Sequence, residues 1–161
     1  MSIIKNISKS INEVKKYKAG ASVNDYIKKY NIDKDSLIRL ASNENVYGPS
    51  PLIAEKIQNI TKNLSIYPET DYAKLKNAFA NYANVETANI TVGNGSDELF
   101  LLTSLVFAQN RLGLIPEPTF TWYRTCLLLS NAKVVMVPIN EKNDFRLTTE
   151  DIINNIEKIL R

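Results

Sequence analysis

The most chemically suggestive segment of the chain is the run ITVGNGSDELF between Ile90 and Phe100. It places Gly93 and Gly95 after β-branched residues and just before a helical pattern. Glycines that leave a strand let the backbone approach a ligand closely, and a helix N-terminus offers N–H groups and a positive dipole end. The segment is therefore suited to binding a phosphate group, with the Ser96 hydroxyl as an additional donor.

Two nucleotide-binding motifs do not fit this turn. A Rossmann fingerprint requires a third glycine where this chain has Glu98, and a Walker A loop requires a following Gly-Lys-Ser/Thr. Asp97 and Glu98 also complement the helix dipole, as in any well-capped helix. From the residues alone, both phosphate binding and plain helix capping stay open.

Composition excludes several other kinds of chemistry. The chain has no histidine, so it has no Ser-His-Asp triad, no histidine base and no histidine-containing metal site. Cys126 is its one cysteine, which excludes an internal disulfide and a CxxC motif, and we expect an inert core thiol. Ser130 and Lys133 match the S-x-x-K pattern of penicillin-recognising enzymes, but the partner motifs SDN and KTG are missing. We expect no metal site.

The elements that position the glycine turn alternate between strands and helices. Predicted strands cover Leu37–Leu40, Ile90–Val92, Leu112–Ile115 and Lys133–Pro138. Predicted helices begin at the capping residues Ser22, Ser50, Asp71 and Thr148 or Thr149, and two more cover Asp97–Gln109 and Phe120–Ser130. This alternation predicts an α/β fold with a parallel sheet.

Length and charge are those of an ordinary soluble domain. The chain has 161 residues, of which 44% are hydrophobic and 23% charged, and its net charge is +3. The excess charge is local, because residues 1–34 hold eight lysines and three acids. That start fits either a membrane- or phosphate-attracting segment or the solvated face of an N-terminal arm. No stretch reaches the roughly 18 apolar residues of a membrane span, so we expect a cytoplasmic protein with no nucleic-acid or membrane partner.

Four motifs together point to one family. They are LASNENVYGPSP at 40–51, IYPE at 66–69, ITVGNGSDEL at 90–99 and PEPTFTWY at 116–123. In this order and spacing the chain resembles histidinol-phosphate aminotransferases, which are pyridoxal 5'-phosphate (PLP) enzymes of fold type I, from about Tyr17 onward.

The resemblance implies an incomplete α/β fold of the aspartate-aminotransferase-like, fold type I PLP-dependent transferase class. Residues 1–46 would form an N-terminal arm and a segment of the small domain. Residues 47–161 would form the first part of the PLP-binding large domain, an α/β/α sheet.

The resemblance also assigns the cofactor contacts. The backbone of Gly95, Ser96 and Asp97 would hold the PLP phosphate, with the acidic side chains pointing away from it. Phe120 would stack on the pyridine ring. Tyr67 would reach across a dimer to the phosphate of the partner's cofactor.

Further residues resemble the substrate side of the family's pocket. Tyr17 would contact the substrate phosphate. Asn43 and Asn45, on either side of Glu44, would line the pocket.

Several parts of the family's machinery lie beyond an NPNNPTG-like turn that this sequence lacks. They are the Schiff-base lysine, the acid that keeps the pyridine nitrogen protonated and the arginine that binds the substrate carboxylate. None of the fifteen lysines has the S-[KR]-x-[FY]-G-like setting, so no catalytic residue is expected before Arg161.

The family's expected activity is amino transfer between L-histidinol phosphate and 2-oxoglutarate or glutamate in histidine biosynthesis, by a homodimer. Residues 1–161 alone are expected to be inactive. The alternatives are a catalytically dead fragment with residual phosphate or PLP binding, a relative acting on aromatic amino acids or decarboxylating threonine phosphate, and a phosphate-binding α/β module unrelated to PLP.

Overall fold

The computed structural model describes residues 6–16, 22–38, 40 and 42–160. Its α-helices are α1 (Val23–Tyr30), α2 (Pro51–Ile60), α3 (Ala73–Ala83), α4 (Gly95–Phe107), α5 (Thr121–Leu129) and α6 (Thr149–Leu160). Its strands are β1 (Leu112–Glu117) and β2 (Lys133–Pro138). Short 3-10 turns cover Lys9–Glu13, Lys34–Ser36, Thr61–Asn63, Thr87–Asn89 and Glu141–Asn143.

The described residues divide into two compact units. One unit combines residues 6–16 with residues 78–160, and the other comprises the described residues between 17 and 77. The predicted boundary between residues 46 and 47 separates two domains of the longer family fold. The two units described here are defined by contacts within residues 1–161, so that boundary stays a prediction.

The larger unit is built around a β–α–β arrangement. β1 and β2 pair in parallel, with Leu112 opposite Lys133 and Glu117 opposite Pro138, and α5 connects them. Parallel strands need such a crossover, so the expected α/β fold with a parallel sheet is confirmed. The core beneath α5 contains the buried residues Ile115, Leu127 and Ala132, with Ala108, Tyr123, Val134 and Met136 packed around them.

Gly113 allows α5 to lie close to β1. A Cβ atom at this position would lie 2.5 Å from Cδ2 and 2.6 Å from Cδ1 of Leu127. These distances are too short for real atoms, so a side chain at residue 113 would force the buried Leu127 side chain to shift.

Two predicted strands are wrong. Ile90 is extended, with φ −105° and ψ 121°, but residues 90–92 pair with no strand in the described part of the chain. Residues 37, 38 and 40 form no strand either, and Arg39 lies outside the described residues. A strand requires a hydrogen-bonded neighbour, which a local β-branched pattern cannot reveal.

The predicted helix starts are largely confirmed. Ser22 and Asp25 form a reciprocal capping box at α1, and the N–H of Ala73 donates to Oδ1 of Asp71, 3.1 Å away, at α3. Thr148 caps α6 through the N–H of Asp151 at 3.1 Å. At α2, Pro51 is the first helical residue as expected, but the Ser50 side chain makes no capping hydrogen bond.

The N-terminal segment docks on α5 within the larger unit. One guanidinium nitrogen of Arg124 donates to the carbonyl oxygen of Glu13 at 2.9 Å, and the other lies 3.4 Å from its carboxylate. The Ser8 hydroxyl donates to Oδ1 of Asn131 at 3.0 Å, just beyond the C-terminal end of α5.

Among the described residues, no helix has the length and apolar character needed to cross a membrane. Within the same residues, no group of three or more Cys, Asp and Glu side chains is arranged to hold a metal ion.

Candidate functional site

The glycine turn opens α4 two residues earlier than the sequence predicts. The helix begins at Gly95, whose φ of +77° lies in the left-handed region, and Asn94 is the N-cap residue. The N–H of Gly95 donates to the carbonyl of Gly93 at 2.9 Å. A side chain at residue 95 would meet no atom within 4 Å, so the backbone angle alone favours glycine there.

Gly93 is restricted for a different reason. A Cβ atom at this position would lie 3.0 Å from both Oε2 of Glu98 and Cδ2 of Leu99. The side chains of Glu98 and Leu99 therefore lie close over residue 93, and any larger residue there would require them to shift.

The first turn of α4 presents N–H groups that the helix itself cannot satisfy. The first four N–H groups of an α-helix have no intrahelical acceptor, and Ser96 and Asp97 belong to this turn. Both residues are exposed, so an anion can reach these groups from solvent. The donor set therefore fits a phosphate group.

The Glu98 carboxylate also lies at this end of α4. Its Oε2 accepts a hydrogen bond from the backbone N–H of Asn94, immediately before the helix. The expectation that the acidic side chains point away from a bound phosphate stays a prediction. An anion bound at the turn would lie in the field of this carboxylate.

Phe120 lies at the N-cap of α5, and half of its surface is exposed. Its ring meets the Tyr123 ring edge-on, with centroids 5.6 Å apart, and Tyr123 in turn meets Phe100 of α4 at 4.7 Å. The indole N–H of Trp122 donates to the carbonyl oxygen of Asp97 at 2.9 Å. The structure thus joins the helix that carries Gly95, Ser96 and Asp97 to the helix that follows Phe120.

Sequence reasoning missed the contributions of Trp122 and Tyr123. The i, i+3 spacing of Phe120 and Tyr123 was the one local signal, because such residues are neighbours on a helical turn. Nothing local indicates the bond between Trp122 and Asp97, which are 25 residues apart.

Cys126 lies on the buried face of α5 and is fully inaccessible to solvent. Burial raises the pKa of its thiol above the ordinary value, and the nearby Asp97 charge raises that pKa further. The thiol therefore stays protonated at neutral pH, and its predicted place in the core is confirmed.

The remaining predicted residues fall in the other unit or outside the described residues. Tyr67 is 86% exposed in the segment before α3. Asn43 adopts a left-handed conformation, with φ 51°. Tyr17 lies outside the described residues, and the roles of all three stay predictions.

Asn45 organises its own loop. Its amide nitrogen donates to the carbonyl of Gly48 at 2.9 Å, and its amide oxygen accepts from the N–H of Tyr47 at 3.1 Å. Both ends of the side chain therefore stabilise the turn, and the predicted contact with substrate stays a prediction.

Comparisons with known proteins agree on one family. Residues 35–160 match the family described as aminotransferase class I and II. A histidinol-phosphate aminotransferase of Methanococcus maripaludis strain C5 is 34% identical over 158 residues, which cover 97% of this chain and 43% of that protein.

Two solved structures are similar in fold. The histidinol-phosphate aminotransferase of Clostridium acetobutylicum has a TM-score of 0.63 and 28% identity, and the match covers 73% of this chain and 34% of that one. The histidinol-phosphate aminotransferase of Sinorhizobium meliloti in complex with pyridoxal-5'-phosphate has a TM-score of 0.69 over 95% of this chain and 39% of that one. At 18% identity, the second likeness concerns the fold alone. The chain thus spans roughly two-fifths of the length of these relatives.

Proposed function

Because the chain belongs to the aminotransferase class I and II family, we propose that it forms the N-terminal part of a histidinol-phosphate aminotransferase. The proposed reaction moves an amino group between L-histidinol phosphate and 2-oxoglutarate or glutamate, with PLP as cofactor. The observation that carries this substrate choice is the match to a histidinol-phosphate aminotransferase over 97% of the chain. The proposed place is histidine biosynthesis in the cytoplasm.

In this proposal, the first turn of α4 binds the cofactor phosphate. The N–H groups of Ser96 and Asp97 donate to its oxygens, and the positive end of the α4 dipole favours its charge. The Ser96 hydroxyl is a further donor. The exposure of both residues and the left-handed Gly95 before them support this assignment.

Phe120 orients the cofactor ring in this proposal. PLP, when bound, supplies an electron-withdrawing ring that stabilises charge beside the amino carbon of the substrate. The flat, apolar face of Phe120 can hold such a ring without exchanging protons with it. The half-exposed side chain at the start of α5 is free to make this contact.

The other proposed contacts come from residues between 17 and 77. Tyr67 would reach the cofactor phosphate of a second subunit in a homodimer, and its 86% exposure supports an intermolecular role. Tyr17, Asn43 and Asn45 would contact the substrate.

A binding comparison tests the proposed cofactor site. Phe120→Ala is expected to weaken PLP binding roughly tenfold while leaving the binding of inorganic phosphate nearly unchanged, because only PLP has a ring to stack. Isothermal titration calorimetry of both ligands measures the two affinities. Phe107→Ala is the matched control, since Phe107 ends α4 and is 69% exposed. Equal losses of PLP and phosphate in Phe120→Ala would favour a phosphate-binding module unrelated to PLP.

We further propose that residues 1–161 do not transaminate by themselves. None of the fifteen lysines lies in the sequence setting of the family's cofactor-binding lysine, which supports this proposal. The purified chain is expected to show no amino transfer from histidinol phosphate to 2-oxoglutarate, with the Methanococcus maripaludis relative as the positive control. Turnover above background would contradict it. The intact mass of the natively expressed protein would show whether the region with the family's cofactor-binding lysine belongs to the same polypeptide.

A further inference from the structure

The single tryptophan of the chain joins the two helices that carry the proposed cofactor contacts. Trp122 is the second residue of α5, and Asp97 is the third residue of α4. The indole N–H of Trp122 donates to the Asp97 carbonyl oxygen at 2.9 Å. This hydrogen bond therefore connects the start of α5 to the first turn of α4.

A second contact reinforces the same connection. The Tyr123 ring lies edge-on to Phe100 of α4, at 4.7 Å and 88°, and edge-on to Phe120, at 5.6 Å and 89°. The side chains of Phe100, Trp122 and Tyr123 are all partly buried. We call Asp97, Phe100, Trp122 and Tyr123 the α4–α5 bridge.

The hydrogen bond from Trp122 holds a residue of the first turn of α4. Its acceptor is the carbonyl of Asp97, and the N–H of the same residue is one of the proposed phosphate donors. A donor that fixes the Asp97 carbonyl therefore restrains the backbone that carries this N–H, which points toward the N-terminal end of α4.

We propose that Trp122 is a positioning residue for the cofactor site, which holds the first turn of α4 at a fixed distance and orientation from Phe120. Trp122 acts through Asp97 and does not itself contact the ligand. The inference rests on the proposed PLP function. The proposal has one distinctive consequence. The affinity for PLP, which would contact both the first turn of α4 and Phe120, should depend on the α4–α5 bridge more than the affinity for inorganic phosphate, which would contact the turn alone.

The test replaces Trp122 by phenylalanine, which keeps an aromatic ring and removes the N–H donor. Trp122→Phe is expected to weaken PLP binding roughly three- to tenfold, the effect of losing one hydrogen bond, and to weaken inorganic phosphate less. Calorimetric titration of both ligands measures the two losses. Tyr82→Phe is the control, because Tyr82 is a 91% exposed aromatic residue of α3 outside the bridge.

A double-mutant cycle separates positioning from a general loss of stability. Once Phe120 is removed, the distance that Trp122 maintains no longer matters to PLP, so Trp122→Phe should cost little in a Phe120→Ala background. Independent, additive losses of PLP affinity would overturn the proposal. Equal losses of PLP and phosphate in Trp122→Phe would overturn it as well.

Amide hydrogen exchange of the ligand-free chain makes the test independent of the proposed function. Trp122→Phe should speed exchange several-fold at Glu98, Leu99 and Phe100, the first amides of α4 that have an acceptor within the helix, and leave α6 unchanged. If the wild-type chain binds neither ligand but this acceleration is seen, the PLP function fails while the bridge between α4 and α5 stands. Unchanged exchange at these three amides would overturn the proposed role of Trp122.

Discussion

At the residue scale, Glu98 shapes the electrostatics of the candidate site. Its carboxylate accepts a hydrogen bond from the Asn94 N–H and so lies at the positive end of α4. A negative side chain near a helix N-terminus stabilises the helix, but it also opposes the approach of a phosphate. The same residue therefore favours folding of the turn and weakens anion binding there.

Glu98→Gln is expected to raise the affinity for inorganic phosphate roughly two- to fivefold at low salt. The glutamine oxygen can still accept the Asn94 hydrogen bond, so the turn is retained while the charge is removed. Titrations at rising ionic strength should show the gain shrinking, because salt screens charges at an exposed site. Glu150→Gln is the matched control, since Glu150 lies in the first turn of α6. A loss of phosphate affinity in Glu98→Gln would contradict this prediction.

The sequence indicates which residues of the site are near each other in the chain, but not which are near in space. Gly95, Ser96 and Asp97 could be recognised because a local pattern of glycines before a helix carries the signal. The contact between Trp122 and Asp97 depends on how α4 packs against α5, which no local pattern encodes. The hydrogen bond from the Asn94 N–H to the Glu98 carboxylate likewise depends on the space that Gly93 leaves by having no side chain.

At the element scale, helices that carry their own start signals were predicted best. The Ser22–Asp25 and Thr148–Asp151 capping boxes are both present, because each lies within four consecutive residues. β2 covers the predicted residues 133–138, whereas residues 90–92 pair with no strand among those that the structure describes. Helices satisfy their backbone hydrogen bonds internally, but a strand depends on a neighbour elsewhere in the chain.

The capping box of α6 makes helix stability depend on pH. Hydrogen bonds from the backbone and side chain of Thr148 lower the pKa of Asp151 below its ordinary value of 3.8. Because the folded-state pKa is the lower one, this stabilisation is fully present above the ordinary pKa. It is lost as the pH falls through the folded-state pKa.

Thr148→Ala is therefore expected to lower the thermal midpoint by roughly 2–4 °C at neutral pH, as for the loss of an N-cap. The difference between Thr148→Ala and the wild type should shrink as the pH falls below 3.8 and through the lowered pKa of the wild-type Asp151. Circular dichroism melting curves across this pH range measure it. Thr149→Ala, at the exposed first residue of α6, serves as the control. A difference that stays constant into acid would show that Asp151 has no part in it.

At the scale of the whole molecule, burial is confined to one part of the described chain. The buried apolar residues are Ala80, Ile115, Cys126, Leu127, Leu128, Ala132 and Val137, all in the larger unit. No described residue between 17 and 77 is buried. α4 has no buried residue either, although its sequence is strongly apolar, and Val106 and Phe107 are 72% and 69% exposed.

This distribution predicts very uneven protection against amide exchange. Local opening costs least where few apolar side chains are buried, so α1 and α2 should exchange close to the rates of an unfolded chain. β1, α5 and β2 should show the strongest protection, because they enclose the core. Exchange followed by NMR for individual amides measures the contrast, and equal protection of α2 and β2 would contradict it.

Truncation of Leu128 tests how much the buried core contributes to the free energy of unfolding. Leu128→Ala should lower the free energy of unfolding of the larger unit by about 2–5 kcal/mol, because a side chain only 2% exposed leaves a cavity when truncated. Leu52→Ala is the matched control, since Leu52 is 72% exposed on α2 and should change the stability by less than about 0.5 kcal/mol. Denaturant unfolding measures both values.

The same variant should also change amide exchange in the strands. The amides of β1 and β2 exchange only when the core opens, so Leu128→Ala should reduce their protection in proportion to its loss of stability. A loss of stability without faster exchange in β1 and β2 would show that the strands owe their protection to contacts other than those of α5.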